Sequence, residues 1–209
     1  MAAFVAAYPF ERGIRDPRVL AALRKVPRHE FVPEAQHERA YTDGPLDIGE
    51  GQTISQPFIV GFMSEALELK ASDRVLEIGA GSGYQTAILA ELVGEVYAVE
   101  ISESLAQRAQ GVLERLQYRN VHVRCADGAL GWKEAAPFDA ILIACAAPQI
   151  PAALVEQLQE NGRLILPLDH GLLAGQELVL AQKTKHGLRQ ERRMAVRFVP
   201  MIRPTSRPG

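Results

Sequence analysis

From residue 74 onward, short apolar runs alternate with longer segments of helical apolar spacing. The apolar runs have the length of buried strands and occupy residues 74–79, 95–100, 121–125, 138–146 and 163–168. The segments of helical spacing occupy residues 84–93, 102–117 and 151–162. Strands that alternate with helices pair in parallel through right-handed crossovers. The pattern therefore predicts an α/β fold with a doubly wound, mostly parallel sheet.

The chain has a less regular pattern up to about residue 50. Within this part, residues 16–27 predict a short helix, with Asp16 as N-cap and Pro17 at the first helical position. The segments rich in Pro, Gly and Asp that follow predict turns, at residues 26–34 and 41–51.

The segments on either side of the predicted sheet differ from each other. Residues 58–69 have helical spacing and lead into the first strand. Gly162 predicts the end of the last helix. Residues 176–200 lack a helical pattern and predict antiparallel strands around a turn at His186 and Gly187.

The composition is that of an ordinary globular protein, with 209 residues, 47% apolar residues and a formal net charge of −2. Apolar runs are far shorter than the ~18 residues of a membrane span, so we expect no membrane association. Residues 1–10 are apolar, but no positively charged region precedes them, and a signal peptide is not predicted. We expect a cytoplasmic protein with one domain.

The two cysteines, Cys125 and Cys145, each end an apolar run and are predicted to be small buried residues. A disulfide framework is not indicated, which suits a reducing cytosol. The five histidines lack the paired spacing of metal ligands, so a bound metal is not predicted.

Basic residues are concentrated at the end of the chain. From Lys183 onward there are eight Lys or Arg residues and one acid, Glu191. Two interpretations remain open: a solvated strand face with a frayed tail, or a surface that attracts an anionic substrate. These charges are not accompanied by a recognisable nucleic-acid-binding module, so nucleic acid is not an expected partner.

A glycine-rich loop, "EIGAGSGYQ", follows the first strand of the predicted sheet and opens a helix. Gly79, Gly81 and Gly83 would let the backbone turn tightly and approach a ligand, although many structural turns also carry glycine. Glu100 ends the next strand, where a doubly wound sheet places an acid against ribose hydroxyls. Together they predict a site for a cofactor that contains adenosine.

The spacing of the glycines bears on which cofactor binds. Dinucleotide-binding proteins favour G-x-G-x-x-G, whereas here Ser82 alone separates the last two glycines. This G-x-G-x-G loop looks like the first motif of S-adenosylmethionine methyltransferases. Asp127 and Gly128 lie just past the third strand, where that class contacts the adenine. Asp127 would otherwise be a turn residue.

Beyond these elements, the chain resembles the protein-L-isoaspartate O-methyltransferases from about Val26 to Pro200. The segment "GQTISQP", residues 51–57, is far more diagnostic of this family than the glycine loop. The other matching segments occur in order: "VPRHEFVP", "AYTDGPLDIGE", "VLEIGAGSGYQ", "DGALGW", "APFDAILI", "IPAALVEQL", "GRLILPL" and "VRFVP".

The resemblance implies S-adenosylmethionine-dependent methylation of the free α-carboxylate of L-isoaspartyl residues in damaged proteins and peptides, with S-adenosylhomocysteine as product. Ser55 corresponds to the active-site serine. Gln176 is a loosely aligned further cofactor contact. Substrate contacts are expected at Thr53, Ile54 and Gln56, and cofactor contacts at Gly79, Gly81, Ser82, Gly83, Glu100, Asp127 and Gly128.

Some positions depart from the family pattern, and other functions remain as alternatives. The departures flank the expected contacts: Asp47 for a common Pro, Ala80 and Cys145 for Thr, and Ala126 for Gly. The alternatives are a methyltransferase of the same fold that acts on another carboxylate, and a cofactor-binding module without catalysis. The glycine spacing disfavours a dehydrogenase, and "TISQP" lacks the G-x-S-x-G pattern of serine hydrolases.

The expected domain spans residues 1–209 and works as a monomer. Residues 1–57 form an N-terminal extension that carries the substrate loop. Residues 58–170 form the cofactor-binding core, and residues 171–209 form antiparallel strands and a tail.

Overall fold

A seven-stranded sheet forms the centre of the computed structural model, which describes residues 12–203. Its strands lie in the order β5-β4-β3-β6-β7-β8-β9, and a separate hairpin consists of β1 and β2. Strands β3 to β7 pair in parallel, whereas β8 and β9 are antiparallel, which confirms the predicted fold. The strands are β1 Leu46–Gly49, β2 Gln52–Ile54, β3 Arg74–Ile78, β4 Glu95–Glu100, β5 Val121–Cys125, β6 Phe138–Ile143, β7 Leu158–Asp169, β8 Gln176–Thr184 and β9 Gly187–Val196.

Two helices begin at side chains that cap them, one of which is the predicted cap Asp16. Asp16 accepts a hydrogen bond from the N–H of Arg18 at the start of α1, and Ser102 accepts one from Leu105 at the start of α4. The α-helices are α1 Pro17–Lys25, α2 Pro57–Ala66, α3 Tyr84–Ala90, α4 Glu103–Arg115 and α5 Ala152–Gln157, and the 3-10 helices are Arg28–Phe31, Glu34–Arg39, Gly128–Leu130 and Lys133–Ala135.

Apolar residues bury both faces of the sheet, as a parallel sheet requires. On one face, Val75 of β3 belongs to a core shared with α1, α2, α3 and α4, and on the other, Leu76 belongs to a core shared with α5. The N-terminal extension packs through α1. A Cβ atom on Gly61 of α2 would lie 3.0 Å from the Leu23 Cδ1, so glycine lets the two helices approach.

Helix α5 ends at Gln157, so the predicted end at Gly162 is wrong. The Lys183 ammonium donates to the carbonyls of Val155 and Leu158, at 2.8 and 2.6 Å, and satisfies them where the helix ends. Leu158 already belongs to β7. Gly162 is needed for space instead, because a Cβ atom there would lie 2.9 Å from the Asp139 carbonyl oxygen.

The segment at residues 41–54 contains a hairpin where the sequence predicted turns. Leu46 of β1 pairs with Ile54 of β2, and both side chains are buried. Glu50 and Gly51 form the turn with φ angles of 56° and 68°. The polar residues of β2 are compatible with a strand because the hairpin buries only one of its faces.

The C-terminal strands form the predicted hairpin, with Gly187 at a φ of 112°. Strand β9 ends at Val196, and the next residues leave the sheet. The apolar N-terminal segment on which the signal-peptide expectation rests lies outside the described residues. Within residues 12–203, none of the helices is both long and apolar enough to cross a membrane.

Candidate active site

The central cleft lies where the winding of the sheet changes direction. From β3 the chain proceeds outward to β4 and β5, whereas β6, on the other side of β3, leads to β7. In such sheets the ligand-binding crevice lies at the carboxyl ends of the central strands. Here the crevice is lined by Ile78 and Gly79 on the β3 side and by Ala144 and Cys145 on the β6 side.

Gly79 and Gly81 line this cleft with backbone conformations that favour glycine, at φ angles of 85° and 54°. The N–H of Gly79 donates to the carbonyl of Val99 at 2.8 Å, which ties the loop to β4. A Cβ atom on Gly79 would lie 3.8 Å from the Cys145 Sγ and would narrow the cleft. The loop therefore offers its backbone to a ligand.

Ser82 and Gly83 of the same loop are placed elsewhere. The Ser82 Oγ accepts a hydrogen bond from the N–H of Tyr84 at 3.3 Å, and Ser82 lines a separate pocket beside Arg108. A Cβ atom on Gly83 would lie 3.2 Å from the Ala109 Cβ. Gly83 thus allows close packing of α3 on α4.

Glu100 lines the cleft at the end of β4 and holds the glycine loop in place. Its Oε2 accepts a hydrogen bond from the N–H of Gly81 at 2.8 Å. Its Oε1 accepts from the N–H groups of Ile101 and Ser102, at 2.8 and 3.0 Å. A carboxylate accepts about four hydrogen bonds, so Glu100 retains capacity for a ligand hydroxyl.

Gly128 lines the cleft, whereas Asp127 lines a neighbouring space with Leu130 and Glu134. A Cβ atom on Gly128 would lie 2.4 Å from the Ile78 Cγ2, so this position accommodates only glycine. The Asp127 Oδ1 accepts from the N–H of Ala129 at 2.9 Å, and its Oδ2 pairs with the Arg203 Nη2 at 3.1 Å. Asp127 is therefore a helix cap and an ion-pair partner in this structure.

A second pocket, which we call the Ser55 pocket, adjoins the cleft. Ser55 and Gln56 line it on one side, and residues 195–199 line it on the other. Thr53, Ala144 and Val199 line both the cleft and the Ser55 pocket, so the two spaces meet.

The side chains of β2 and the residues after it point in different directions. Ile54 is 3% exposed and belongs to the core, where it fixes the hairpin. Thr53 is exposed between the two spaces. The Ser55 hydroxyl makes no hydrogen bond to any residue within 12–203, so no described base activates it and it is available to a ligand.

Gln56 makes its contacts with the extension. Its amide nitrogen Nε2 donates to the Asp43 Oδ2 and, at 3.4 Å, to the Asp43 carbonyl oxygen. The Arg12 Nη2 lies 3.8 Å from the same carboxylate oxygen. The Ser55 pocket is therefore anchored to residues of the turn-rich segment that precedes it.

Arg28 supports this segment from inside the protein. It is fully buried, and its Nε donates to the carbonyl of Ala40 at 2.8 Å while its guanidinium lies over the Tyr84 ring at 4.8 Å. Burial lowers the pKa of Arg28 to about 10, although the Tyr84 and Asp43 side chains oppose this change. Burial raises the pKa of Tyr84 to about 12, so its hydroxyl stays neutral.

Two acids near the cleft were not singled out from the sequence. Glu77 of β3 is fully buried, and this burial raises its pKa to about 8. Thr86 is near enough to lower that pKa slightly, yet the carboxyl makes no hydrogen bond of normal geometry within the described chain. The sequence feature that could have identified Glu77 is its position as an acid within an apolar strand.

Glu50, the second such acid, lines the cleft from the β1–β2 turn. Its carboxylate accepts hydrogen bonds from the hydroxyls of Ser102 and Ser104 at the start of α4. This contact holds the hairpin across the cleft, and no local pattern could have predicted it because the partners are more than fifty residues apart.

Residues 199–202 cover the cleft from the C-terminal side. The N–H of Ala146 donates to the Val199 carbonyl at 2.8 Å, and the N–H of Met201 donates to the Ala146 carbonyl at 2.7 Å. Gln176, the loosely aligned position, exchanges two hydrogen bonds with the backbone of Phe198, at 3.2 and 2.6 Å. In this structure its amide holds the covering segment.

The two cysteines differ in exposure. Cys145 is buried as predicted, and burial raises its pKa to about 12, which keeps the thiol protonated. Cys125 is exposed, so the prediction of burial is wrong there. It ends β5, an edge strand with a neighbouring strand on one side only.

Comparisons with known proteins agree with this geometry. The family model described as protein-L-isoaspartate(D-aspartate) O-methyltransferase (PCMT) matches residues 4–206. The protein-L-isoaspartate O-methyltransferase 1 of Syntrophobacter fumaroxidans is 51% identical over 191 residues, which cover 91% of this chain and 88% of that protein.

Solved structures give the same result. One named protein-L-isoaspartate O-methyltransferase has a TM-score of 0.89 and 31% identity, and the match covers 96% of this chain and 65% of that one. Another, named for the same enzyme from Plasmodium falciparum in complex with S-adenosyl-L-homocysteine, has a TM-score of 0.80 and 26% identity, with 95% and 96% covered.

The fold and the cleft are those of a class I S-adenosylmethionine-dependent methyltransferase. Within that class, the chain belongs to the protein-L-isoaspartate O-methyltransferase family.

Proposed function

We propose that this protein transfers a methyl group from S-adenosylmethionine to the free α-carboxylate of L-isoaspartyl residues in damaged proteins and peptides. The methyl ester then closes to a succinimide without the enzyme, and part of the succinimide reopens to normal aspartate. The observation that carries this proposal is the junction of two spaces at Thr53, Ala144 and Val199.

The residues of the cleft fit the cofactor. Gly79 and Gly81 leave open space that a Cβ atom would narrow, and Glu100 retains capacity for a ribose hydroxyl. S-adenosylmethionine, when bound, supplies a methyl group already activated on a sulfonium. We propose that Gly79, Gly81, Glu100 and Gly128 line its site directly. Ser82, Gly83 and Asp127 would act on it through the shape of the surrounding loops.

The Ser55 pocket suits the acceptor. A carboxyl group has an ordinary pKa of about 3.5 to 4, so near neutral pH it is a nucleophile without help from a base. The protein has to hold the carboxylate in line with the methyl group and exclude water. The free hydroxyl of Ser55 can donate to one carboxylate oxygen and orient it. A cationic side chain would bind the attacking oxygen more strongly and lower its reactivity toward the methyl group.

The proposal extends to the setting of the reaction. We propose a cytoplasmic monomer that acts as one domain on isoaspartyl proteins and peptides, without nucleic-acid or membrane partners. The elements around the two spaces support the domain assignment, because the N-terminal hairpin and the C-terminal segment 199–202 both contribute to the same cleft.

A paired assay tests the proposed function. The protein is incubated with S-adenosylmethionine that carries a tritiated methyl group and with an isoaspartyl peptide or its aspartyl twin. We expect methyl transfer to the isoaspartyl peptide only. Equal transfer to both peptides would favour a methyltransferase for another carboxylate, and transfer to neither would favour a non-catalytic module.

A further inference from the structure

We propose that Gln56 acts as a hydrogen-bond acceptor for a backbone N–H of the substrate peptide, and that Asp43 fixes it in this role. The inference rests on the proposed function and assigns a specific part of substrate recognition to one side chain. Gln56 would then recognise the peptide chain beside the isoaspartyl residue, and Ser55 would contact the reacting carboxylate.

The partner of Gln56 decides the orientation of its amide. An ionised carboxylate and a backbone carbonyl oxygen can only accept hydrogen bonds. Both acceptors of Asp43 face the same end of the Gln56 side chain. That end must therefore be the NH₂ group, because a flipped amide would place oxygen against two oxygens.

This orientation leaves the carbonyl oxygen of Gln56 for the pocket. The Nε2 donates to two acceptors of Asp43, whereas the Oε1 makes no hydrogen bond to any residue within 12–203. Gln56 lines the Ser55 pocket, so this oxygen is its remaining polar atom there. The side chain offers the pocket an acceptor and no donor.

An acceptor selects its ligand by chemistry. It would repel the reacting carboxylate, which carries only acceptor atoms, and it would bind a group that carries a hydrogen. The backbone N–H groups are the donors that every isoaspartyl peptide has, whatever its side chains. An acceptor at this place therefore suits an enzyme that must accept many different sequences.

The surroundings keep Asp43 in place. Its side chain is 13% exposed, and the Arg12 Nη2 lies 3.8 Å from it. Arg28, which is fully buried, donates to the carbonyls of Ala40 and Gly44 on either side of Asp43, at 2.8 and 3.4 Å. These contacts fix the backbone that presents the carboxylate to Gln56.

Ester-containing peptides test the proposal, because an ester oxygen in place of one backbone N–H removes the donor and keeps the shape. Three analogues of one isoaspartyl peptide would each replace a single N–H: that of the isoaspartyl residue, of the residue after it, or of the one after that. In the wild-type protein, we expect KM to rise about 5- to 100-fold for one analogue. In Gln56→Ala the same analogue should bind as well as its parent peptide.

Asp43→Asn tests the positioning role. An asparagine can donate as well as accept, so the Gln56 amide is no longer held in one orientation, and the discrimination between parent and analogue should shrink. Asp47→Asn is the matched control, since Asp47 is exposed on β1 and accepts its hydrogen bond from Gly49. Every variant should bind S-adenosylhomocysteine with wild-type affinity in calorimetry.

The outcomes separate this inference from the proposed function. If the wild-type protein methylates the parent peptide but all three analogues have the parent's KM, Gln56 does not accept a hydrogen bond from these backbone N–H groups. If the rise in KM for one analogue is the same in Gln56→Ala, another group accepts the hydrogen bond from that N–H. If the parent peptide is not methylated at all, the proposed function fails and this inference fails with it.

Discussion

At the scale of single residues, the structure distinguishes two kinds of polar side chain around the cleft. Glu100 is held by three backbone N–H groups, so its position depends on the fold. The Ser55 hydroxyl has no partner among the described residues and is free to serve a ligand. A carboxylate fixed in this way can accept a hydrogen bond from a ligand in one pose, whereas a free hydroxyl can turn toward the group that it binds.

Ser55→Ala should slow methyl transfer about 10- to 1000-fold, because it removes one oriented donor while the nucleophile belongs to the substrate. The affinity for S-adenosylhomocysteine should stay near that of the wild type. Ser72→Ala, an exposed turn serine, is the matched control. Wild-type turnover in Ser55→Ala would show that this residue only packs within the loop. A covalent adduct on Ser55 of the wild-type protein would show that it is a nucleophile.

Glu100→Ala should weaken the binding of S-adenosylhomocysteine about 10- to 150-fold, since hydrogen bonds to charged groups contribute roughly 1.5–3 kcal/mol. Calorimetry measures this change directly. Glu103→Ala removes a nearby exposed acid at the start of α4 and serves as control. An unchanged affinity in Glu100→Ala would show that Glu100 does not bind the ribose hydroxyls.

The sequence located the residues of the cleft better than it located their orientation. Gly79, Gly81 and Gly128 line the cleft, yet Gly83 packs a helix and Ile54 faces the core. A motif fixes spacing along the chain. Which way each side chain points depends on the register of a hairpin or the packing of two helices, and neither can be read locally.

At the scale of elements, strand β3 carries an unusual group in Glu77. Burial raises the pKa of its carboxyl from 4.5 to about 8 in the folded protein. Below pH 4.5 the carboxyl is protonated in both the folded and the unfolded protein, so its full contribution to the free energy of unfolding is present. Between these pH values only the unfolded state loses the proton, and the free energy of unfolding falls by about 1.4 kcal/mol per pH unit.

Glu77→Gln should remove this dependence, because an amide does not titrate. The difference in unfolding free energy between the wild type and the variant should change between pH 6 and 8, with the wild type losing stability relative to the variant. Denaturant titrations of the ligand-free protein at several pH values measure it. Parallel curves for the two proteins would show that Glu77 does not carry this proton.

The basic strand β9 offers a second test at this scale. Arg197 follows the strand and lines the Ser55 pocket, so it should favour acidic isoaspartyl peptides. Arg197→Glu should raise KM for acidic peptides at low salt, and the effect should fade as salt rises. Arg189→Glu is the control, because Arg189 is exposed and lies near the start of β9, away from Arg197. Equal KM values for acidic and basic peptides in the wild type would show that these basic residues form only a solvated face.

The elements that sequence patterns predicted well are those with a strong local signal. Helix α1 begins at the predicted cap, α4 begins within a residue of its predicted start, and the five parallel strands fall on apolar runs. The end of α5 was misplaced because Lys183, from a distant strand, satisfies its last carbonyls. Strand β2 differs from the predicted loop because its partner β1, rather than its own composition, makes it a strand.

At the scale of the whole molecule, distant parts of the chain close the site. The hairpin turn at Glu50 reaches α4, and the segment 199–202 returns over the carboxyl ends of the strands. Methyl transfer requires that water be excluded from the reacting atoms, and both segments line the cleft in which we propose that it occurs. The overall sheet could be predicted from periodicity, whereas this closure joins segments far apart in sequence and has no periodic signal.

We propose that the protein initiates the repair of isoaspartyl residues by methylating their α-carboxylate. The most direct measurement follows one isoaspartyl peptide by chromatography and mass spectrometry during incubation with the protein and S-adenosylmethionine. We expect a methyl ester, then a succinimide, then a growing share of the aspartyl peptide. An isoaspartyl peptide that remains unmodified, or a methyl ester that forms equally on the aspartyl twin, would contradict it.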